Sequence, residues 1–350
     1  MRAAHLDLWG WFSLWGLAVA LGFGCAASGV PLNELSDQPI ALVYWEEPAA
    51  RKRAEQQALA QQDEVQRSSR MGVAELSAVA KLVGSTSGSG GFELRVHSRI
   101  VLLNPRTLEI VPFKGAPRNS RPLAWSQDRK RLLYSSRYGN DGRLQLYEFD
   151  IEMGEVRRLT YGSSSHLEGD YSPDGRVLCS WMDMQSGQES AGLDIRPAGG
   201  GRGTSIVEDG MASGPRWSPR GDVITYFRAD DRLQRRDESV IVVQEPTVQS
   251  AARVVARGRD PVFTPDGEWI VYSSQGSRGW RLRRVRPDGS ARSILGDSHL
   301  DARWPTVSPD GRHVAYVSNA DGLDRLYLRR IDGSGDRILL EQGSVAFPIW

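Results

Sequence analysis

Residues Tyr171–Trp181 read YSPDGRVLCSW, and the chain returns to this pattern four more times. The other copies are Trp125–Ser136 (WSQDRKRLLYSS), Trp217–Phe227 (WSPRGDVITYF), Phe263–Ser274 (FTPDGEWIVYSS) and Val307–Ser318 (VSPDGRHVAYVS). Their hydroxyl residues, Ser126, Ser172, Ser218, Thr264 and Ser308, are spaced by 46, 46, 46 and 44 residues. So regular a period marks an array of one structural unit. In four copies the hydroxyl is followed by Pro-Asp-Gly or Pro-Arg-Gly, at Pro173, Pro219, Pro265 and Pro309. Proline presets a φ of about −65° and glycine accepts positive φ, so the chain reverses there between two strands. The first copy carries Arg129 in the glycine place, which predicts a looser or longer turn.

Counting from the hydroxyl, the sixth position holds Leu132, Leu178, Ile224, Ile270 and Val314; the eighth holds Tyr134, Ser180, Tyr226, Tyr272 and Tyr316. Alternation along a strand puts these two positions on one face. The seventh position, Leu133, Cys179, Thr225, Val271 and Ala315, faces the other way and is also largely apolar. A strand apolar on both faces lies between neighbouring sheets. Two further strands complete a unit, Leu144–Asp150 and Glu155–Thr160 in the first copy, Arg325–Ile331 and Asp336–Leu340 in the last. Four strands per ~45 residues is the blade of a β-propeller.

With proline, an aromatic, S-P-D-G, aliphatics and a second aromatic in order, these copies resemble the WD40-like repeat called PD40, found in the propeller of TolB and related envelope proteins. The resemblance covers about two thirds of the chain and implies an all-β fold, a TolB-like six-bladed β-propeller preceded by a short helical N-terminal region. The C-terminal Phe347-Pro348-Ile349-Trp350 matches the residues just before the hydroxyl elsewhere, Gly214–Trp217 and Asp260–Phe263, and stops one residue short of a sixth hairpin. The sixth blade is therefore expected to be made of both chain ends, with Phe92–Phe113, or Pro39–Trp45, supplying strands that the C-terminal one lacks.

The expected domains are a lipoprotein-type signal at 1–25, a linker and helical region at 26–91, and the propeller at 92–350. Arg2 precedes an uncharged apolar run, Leu8–Gly24, followed by Cys25 and small residues. This start resembles a bacterial lipoprotein signal in which Cys25 is lipidated; a retained membrane anchor and cleavage near Ala26 or Ala27 are the other readings of the same run. Glu46–Arg67 is rich in helix formers, Val73–Val83 has an apolar face at helical spacing, and Gly84–Gly91 is a Gly/Ser joint. This region does not match the α/β domain before TolB's propeller, so TolB's specific partners do not carry over. Lys plus Arg (44) balances Asp plus Glu (43), which leaves no field to attract nucleic acid. Cys179 lies in an apolar strand and reads as a core side chain.

Catalytic signatures are absent: there is no G-x-S-x-G, H-E-x-x-H or C-x-x-C. The expectation is accordingly a non-enzymatic protein without a cofactor. It would be exported to the bacterial envelope, facing the periplasm, and held at a membrane through an N-terminal lipid. It would bind an envelope protein or cell-wall component through loops on one face. The charged stretch Arg228–Glu238, with Arg228, Asp230, Asp231, Arg235 and Arg236, falls between the second and third strands of its blade and is a candidate contact. Trp181 and Trp304 are candidate aromatic anchors. The alternative is a metal-assisted carbohydrate-active lyase, since TolB-like propeller lyases hold a metal with loop histidines, here His166 and His299. Asp332–Asp336 (DGSGD) has calcium-loop spacing but sits where a hairpin turn is needed.

Overall fold

In the computed structural model the described residues are 29–46, 98–138, 142–183, 190–208, 212–229, 239–248, 250–277, 279–296, 301–320 and 322–350. They form six four-stranded antiparallel sheets, each a meander from an inner to an outer strand. Blades one to five occupy 121–158, 165–207, 213–257, 259–294 and 303–340. Each inner strand touches the next, and that of blade six touches that of blade one, closing the ring. Hairpins after the inner strands and turns before the outer strands share one end of the ring, the turn face. Second-to-third connections and links between blades share the other, the loop face.

Blade six is assembled from both ends of the described chain. Its inner strand is Ser344–Ile349, followed outward by Ile40–Trp45, Arg99–Leu103 and Ile110–Pro112. Ile40–Trp45 pairs with the inner strand from Ala41–Ile349 to Trp45–Ser344 and with the third strand from Ile40–Leu103 to Tyr44–Arg99. The stretch read as linker and helix at 26–91 thus supplies one propeller strand. In chain order, 46–98 falls between the second and third strands of this blade, at the loop face, rather than before the propeller. Glu46–Arg67, Val73–Val83 and Gly84–Gly91 lie outside the described residues except for Glu46 itself, which is ion-paired to Arg99.

The expected alternation holds in blades one, three, four and five. Leu132 and Tyr134 pack in one core with Trp125, Ala41 and Ile100, while Leu133 belongs to the next core. Tyr134 stacks on Tyr147 at 5.6 Å and Tyr316 on Tyr327 at 5.7 Å, each pair contributing about 1 kcal/mol beyond burial. Blade two departs. Its hairpin closes from the Ser172 amide to the Arg176 carbonyl, whereas the others close one residue later, as from Ser126 to Arg131 or Ser308 to His313. Tyr171 therefore pairs with Val177, where Trp125 pairs with Leu132. A one-residue slip exchanges the faces of every following side chain. Val177 and Cys179 take the places of Leu132 and Tyr134, and Leu178 turns to the core shared with Trp217 and Ile224.

The loose turn expected at Arg129 does not occur. Arg129 adopts φ 62° and its amide reaches the Ser126 carbonyl at 2.9 Å, as Gly175 does to Ser172. Its guanidinium lies 4.7 Å above the Trp125 ring and donates to the Pro39 carbonyl at 3.0 Å, which offsets the left-handed backbone. Asp332–Asp336 is a turn, as read: Ser334 donates to Asp332, and the Asp336 carboxylate is held by Arg329 and Tyr316.

Cys179 is 0% exposed, and burial pushes its thiol up to about 12. A thiol without thiolate character does not alkylate. Iodoacetamide at pH 8 is expected to leave Cys179 unmodified in the native protein and to modify it fully in guanidinium, read by mass spectrometry; reaction of the native protein would contradict the core placement.

Candidate functional site

Of the predicted contact residues, Arg228 is the next-to-last residue of the second strand of blade three, Ile224–Ala229, and is partly exposed. Asp230, Asp231, Arg235 and Arg236 lie outside the described residues, as do Cys25 and His299. Trp181 is partly exposed at the loop-face end of its strand, opposite His166 and Gly192. Trp304 is not a surface anchor: it is 7% exposed, belongs to the core between blades five and six, and meets the Phe347 ring at 4.5 Å. Its neighbours at 301–303 enter an inner strand, which carries side chains inward.

His166 is 2% exposed, and its Nε2 lies 2.9 Å from an Arg196 guanidinium nitrogen, which donates to it. Burial, with the Arg196 charge, lowers its pKa to about 3, so the ring stays neutral. A metal at Nε2 would have to displace a cation already paired there and with Asp194 at 3.2 Å. Among the described residues no group of three metal-ligating side chains converges.

Sequence reasoning missed the interior of the ring. Each inner strand carries a bulge four residues before the hydroxyl, and Gly214, Asp260, Trp304 and Phe347 there take φ 59°, 53°, 50° and 52°. Such bulges re-aim side chains. In blades one to four they bring together three guanidiniums, Arg121, Arg216 and Arg259, and three carboxylates, Glu168, Asp170 and Asp260. Arg121 pairs with Glu168 at 2.9 Å and lies 3.8 Å over the Phe347 ring. Glu168 also accepts the Gly214 amide, and Asp170 accepts the Trp217 amide at 2.8 Å, so carboxylates of blade two staple blade three. Thr306 does the same for blade six, accepting the Trp350 amide at 2.9 Å. The legible signal was charge at alternate positions of otherwise apolar inner strands.

Asp260 carries the most strongly shifted carboxyl of the cluster. Burial raises its pKa to about 6; Glu168 adds to the rise, and Arg259, Arg121 and Arg216 oppose it. A carboxyl raised above its ordinary value favours folding below about pH 4, and the advantage disappears as pH rises through about 6. Asp260→Asn, which tolerates the same left-handed backbone, is expected to match the parent near pH 4. Above pH 6 it should be more stable, by at most about 3 kcal/mol. Melting curves from pH 4 to 8 check this; a constant difference would refute it.

Toward the turn face the channel opens into a cavity of about 470 Å³, floored by Asp170 and Arg216 and rimmed by the turn prolines, Gln38, Arg129 and Trp350. Its lining mixes these polar and ionic groups with apolar side chains such as Leu123, Val262, Phe263 and Ile349. No described histidine or thiol lines it.

A closed ring of six such blades has solved counterparts. The putative TolB from Agrobacterium tumefaciens superposes with a TM-score of 0.58, at 23% identity, covering 69% of this chain and 88% of that one. TolB from Acinetobacter baumannii gives 0.63 at 16% identity, covering 90% of this chain and 67% of its own. The fold is that of the TolB propellers. Among curated sequences, a TolB homolog of Chlorobium chlorochromatii is 26% identical over 207 residues, 55% of this chain. An uncharacterised peptidase of Bacillus subtilis is 27% identical over 184 residues, 51% of this chain. The matched stretches span 45% of that TolB homolog and 25% of that peptidase. No family model matches the chain.

Proposed function

We propose that this TolB-like propeller is a non-enzymatic, membrane-anchored component of the bacterial envelope that binds a protein or cell-wall partner through its loop face. One observation carries the reading. The turn-face hairpins repeat with nearly constant length, whereas second-to-third connections range from 277–278 in blade four to 46–98 in blade six. Repeated parts are scaffold, and binding residues concentrate on variable loops set upon it. Arg228 stands at the loop-face end of the second strand of blade three and Asp230, Asp231, Arg235 and Arg236 in the connection that follows it, with Trp181 on the neighbouring blade. Cys25 is the lipidation site in this reading, its acyl chains each adding ~0.8 kcal/mol of membrane affinity per buried CH2.

The test is a full chain in which 230–237 is replaced by a short Gly/Ser turn. Its melting temperature is expected to match the parent while cross-linking to an envelope component in cells is lost; unchanged cross-linking would refute the assignment of that loop.

A propeller enzyme is the second reading, prompted by the similarity to the Bacillus peptidase, which covers a quarter of that protein. Stoichiometric metal in the purified protein, lost in His166→Ala and His299→Ala, would favour the metal-assisted lyase instead.

A further inference from the structure

Residues 30–39 form a strap whose polar contacts to the blades lie on the turn face, while Val30 and Leu35 enter the core between blades five and six. Val30 is 0% exposed, and its carbonyl accepts from Arg337 at 3.0 Å. Glu34 pairs with Arg330 at 3.2 Å, and the Leu35 carbonyl accepts from Arg106 at 2.6 Å. Trp350 Nε1 donates to the Gln38 carbonyl at 3.1 Å, and Arg129 holds Pro39. Arg330 and Arg337 flank the last turn of blade five, Arg106 sits in the corresponding turn of blade six, and Arg129 in the first hairpin. The strap runs from the outer rim of the turn face to the mouth of the channel, where Ile40–Trp45 begins.

We infer that the turn face is the lipid-facing side of the protein and that the loop face points away from the membrane. The inference rests on the anchoring read at the N-terminus, and it holds whether the anchor is a lipid on Cys25 or a retained apolar segment ending at Gly24. Four residues separate Cys25 from the buried Val30, so the five steps between them reach at most ~18 Å fully extended. Blade strands of six residues are ~20 Å tall before their loops are added. A tether pinned to the turn-face rim is thus shorter than the blade is high, so the loop face cannot lie on the bilayer. Trp181 and Arg228, at the loop-face ends of their strands, then lie on the side away from the anchoring membrane.

The experiment uses the full chain with its own N-terminal segment, reconstituted into phosphatidylcholine–phosphatidylethanolamine vesicles that carry a headgroup nitroxide quencher. A fluorophore is placed at Ser334→Cys on the turn face or Ser163→Cys on the loop face, both exposed, with labelling confirmed by peptide mapping. The protein is expected to float with the vesicles, the label at 334 losing most of its emission and the label at 163 keeping nearly all. Flotation with equal quenching, or with stronger quenching at 163, overturns the orientation and leaves the anchor standing. Failure to float overturns the anchor and the orientation with it.

Discussion

Deleting Val345–Trp350 is expected to remove the cooperative unfolding transition, or to lower the melting temperature by more than about 10 °C. These residues form nearly all of the inner strand of blade six. Val345, Ala346 and Trp350 are 1%, 2% and 6% exposed, and Phe347 lies against both Trp304 and Arg121. Returning their large apolar side chains to water costs about 1.5–3 kcal/mol each, together comparable with a whole domain's stability of about 5–15 kcal/mol. The deletion also strips the hydrogen-bonded edge from Ile40–Trp45 and releases the Trp350 ties to Gln38 and Thr306. The exposed edge would template association, so aggregation on heating should accompany the loss. Differential scanning calorimetry decides the matter; a deletion variant that melts like the parent would show that the ring does not depend on this strand.

Arg121→Ala should cost about 3–5 kcal/mol, because it strands the Glu168 carboxylate in the channel wall. Arg121 and Glu168 have side chains only 11% and 13% exposed, which leaves little water to replace the lost partner. Burial pushes the Glu168 pKa up, yet Arg121, the Gly214 amide and Arg216 together hold it below the ordinary carboxylate value. Its contribution to stability is therefore present at neutral pH and lost as the pH falls through its folded pKa. The double variant Arg121→Met with Glu168→Gln should recover most of the loss, since neither group then carries an unpaired charge. Guanidinium unfolding of the two single variants and the double gives the coupling energy; additive effects would show that the pair is not a unit.

Much of this architecture was legible in residue spacing. The hydroxyl-turn-aliphatic pattern repeats because each blade solves the same local problem, and local hairpin chemistry is written in three or four adjacent residues. The slip in blade two was legible in principle: Gly175-Arg176-Val177 is one residue shorter than Gly311-Arg312-His313-Val314. Aligning by the hydroxyl concealed it, because an unchanged spacing of 46 residues absorbs a deletion in the turn by an addition elsewhere. The channel cluster was less accessible. Counting alternate positions fails across a bulge, and the left-handed residues at Asp260 and Trp304 give no warning in their side-chain types. A tryptophan read as a candidate surface anchor was consequently buried, and the strongly shifted Asp260 carboxyl went unnoticed.

The sequence by itself determined the unit, its number of complete copies and the chemistry of each hairpin, since those depend on contacts between near neighbours. Only the tertiary structure decided which faces meet and how the ring closes. It also decided where the charges of blades one to four converge and which end of the ring the N-terminal strap grips. Each of these depends on groups a blade or more apart in the chain: Arg121 finds Glu168 47 residues away, and Trp350 finds Gln38 312 residues away. Such contacts form only when the closed ring has already fixed both partners in place, and no local pattern encodes that distance.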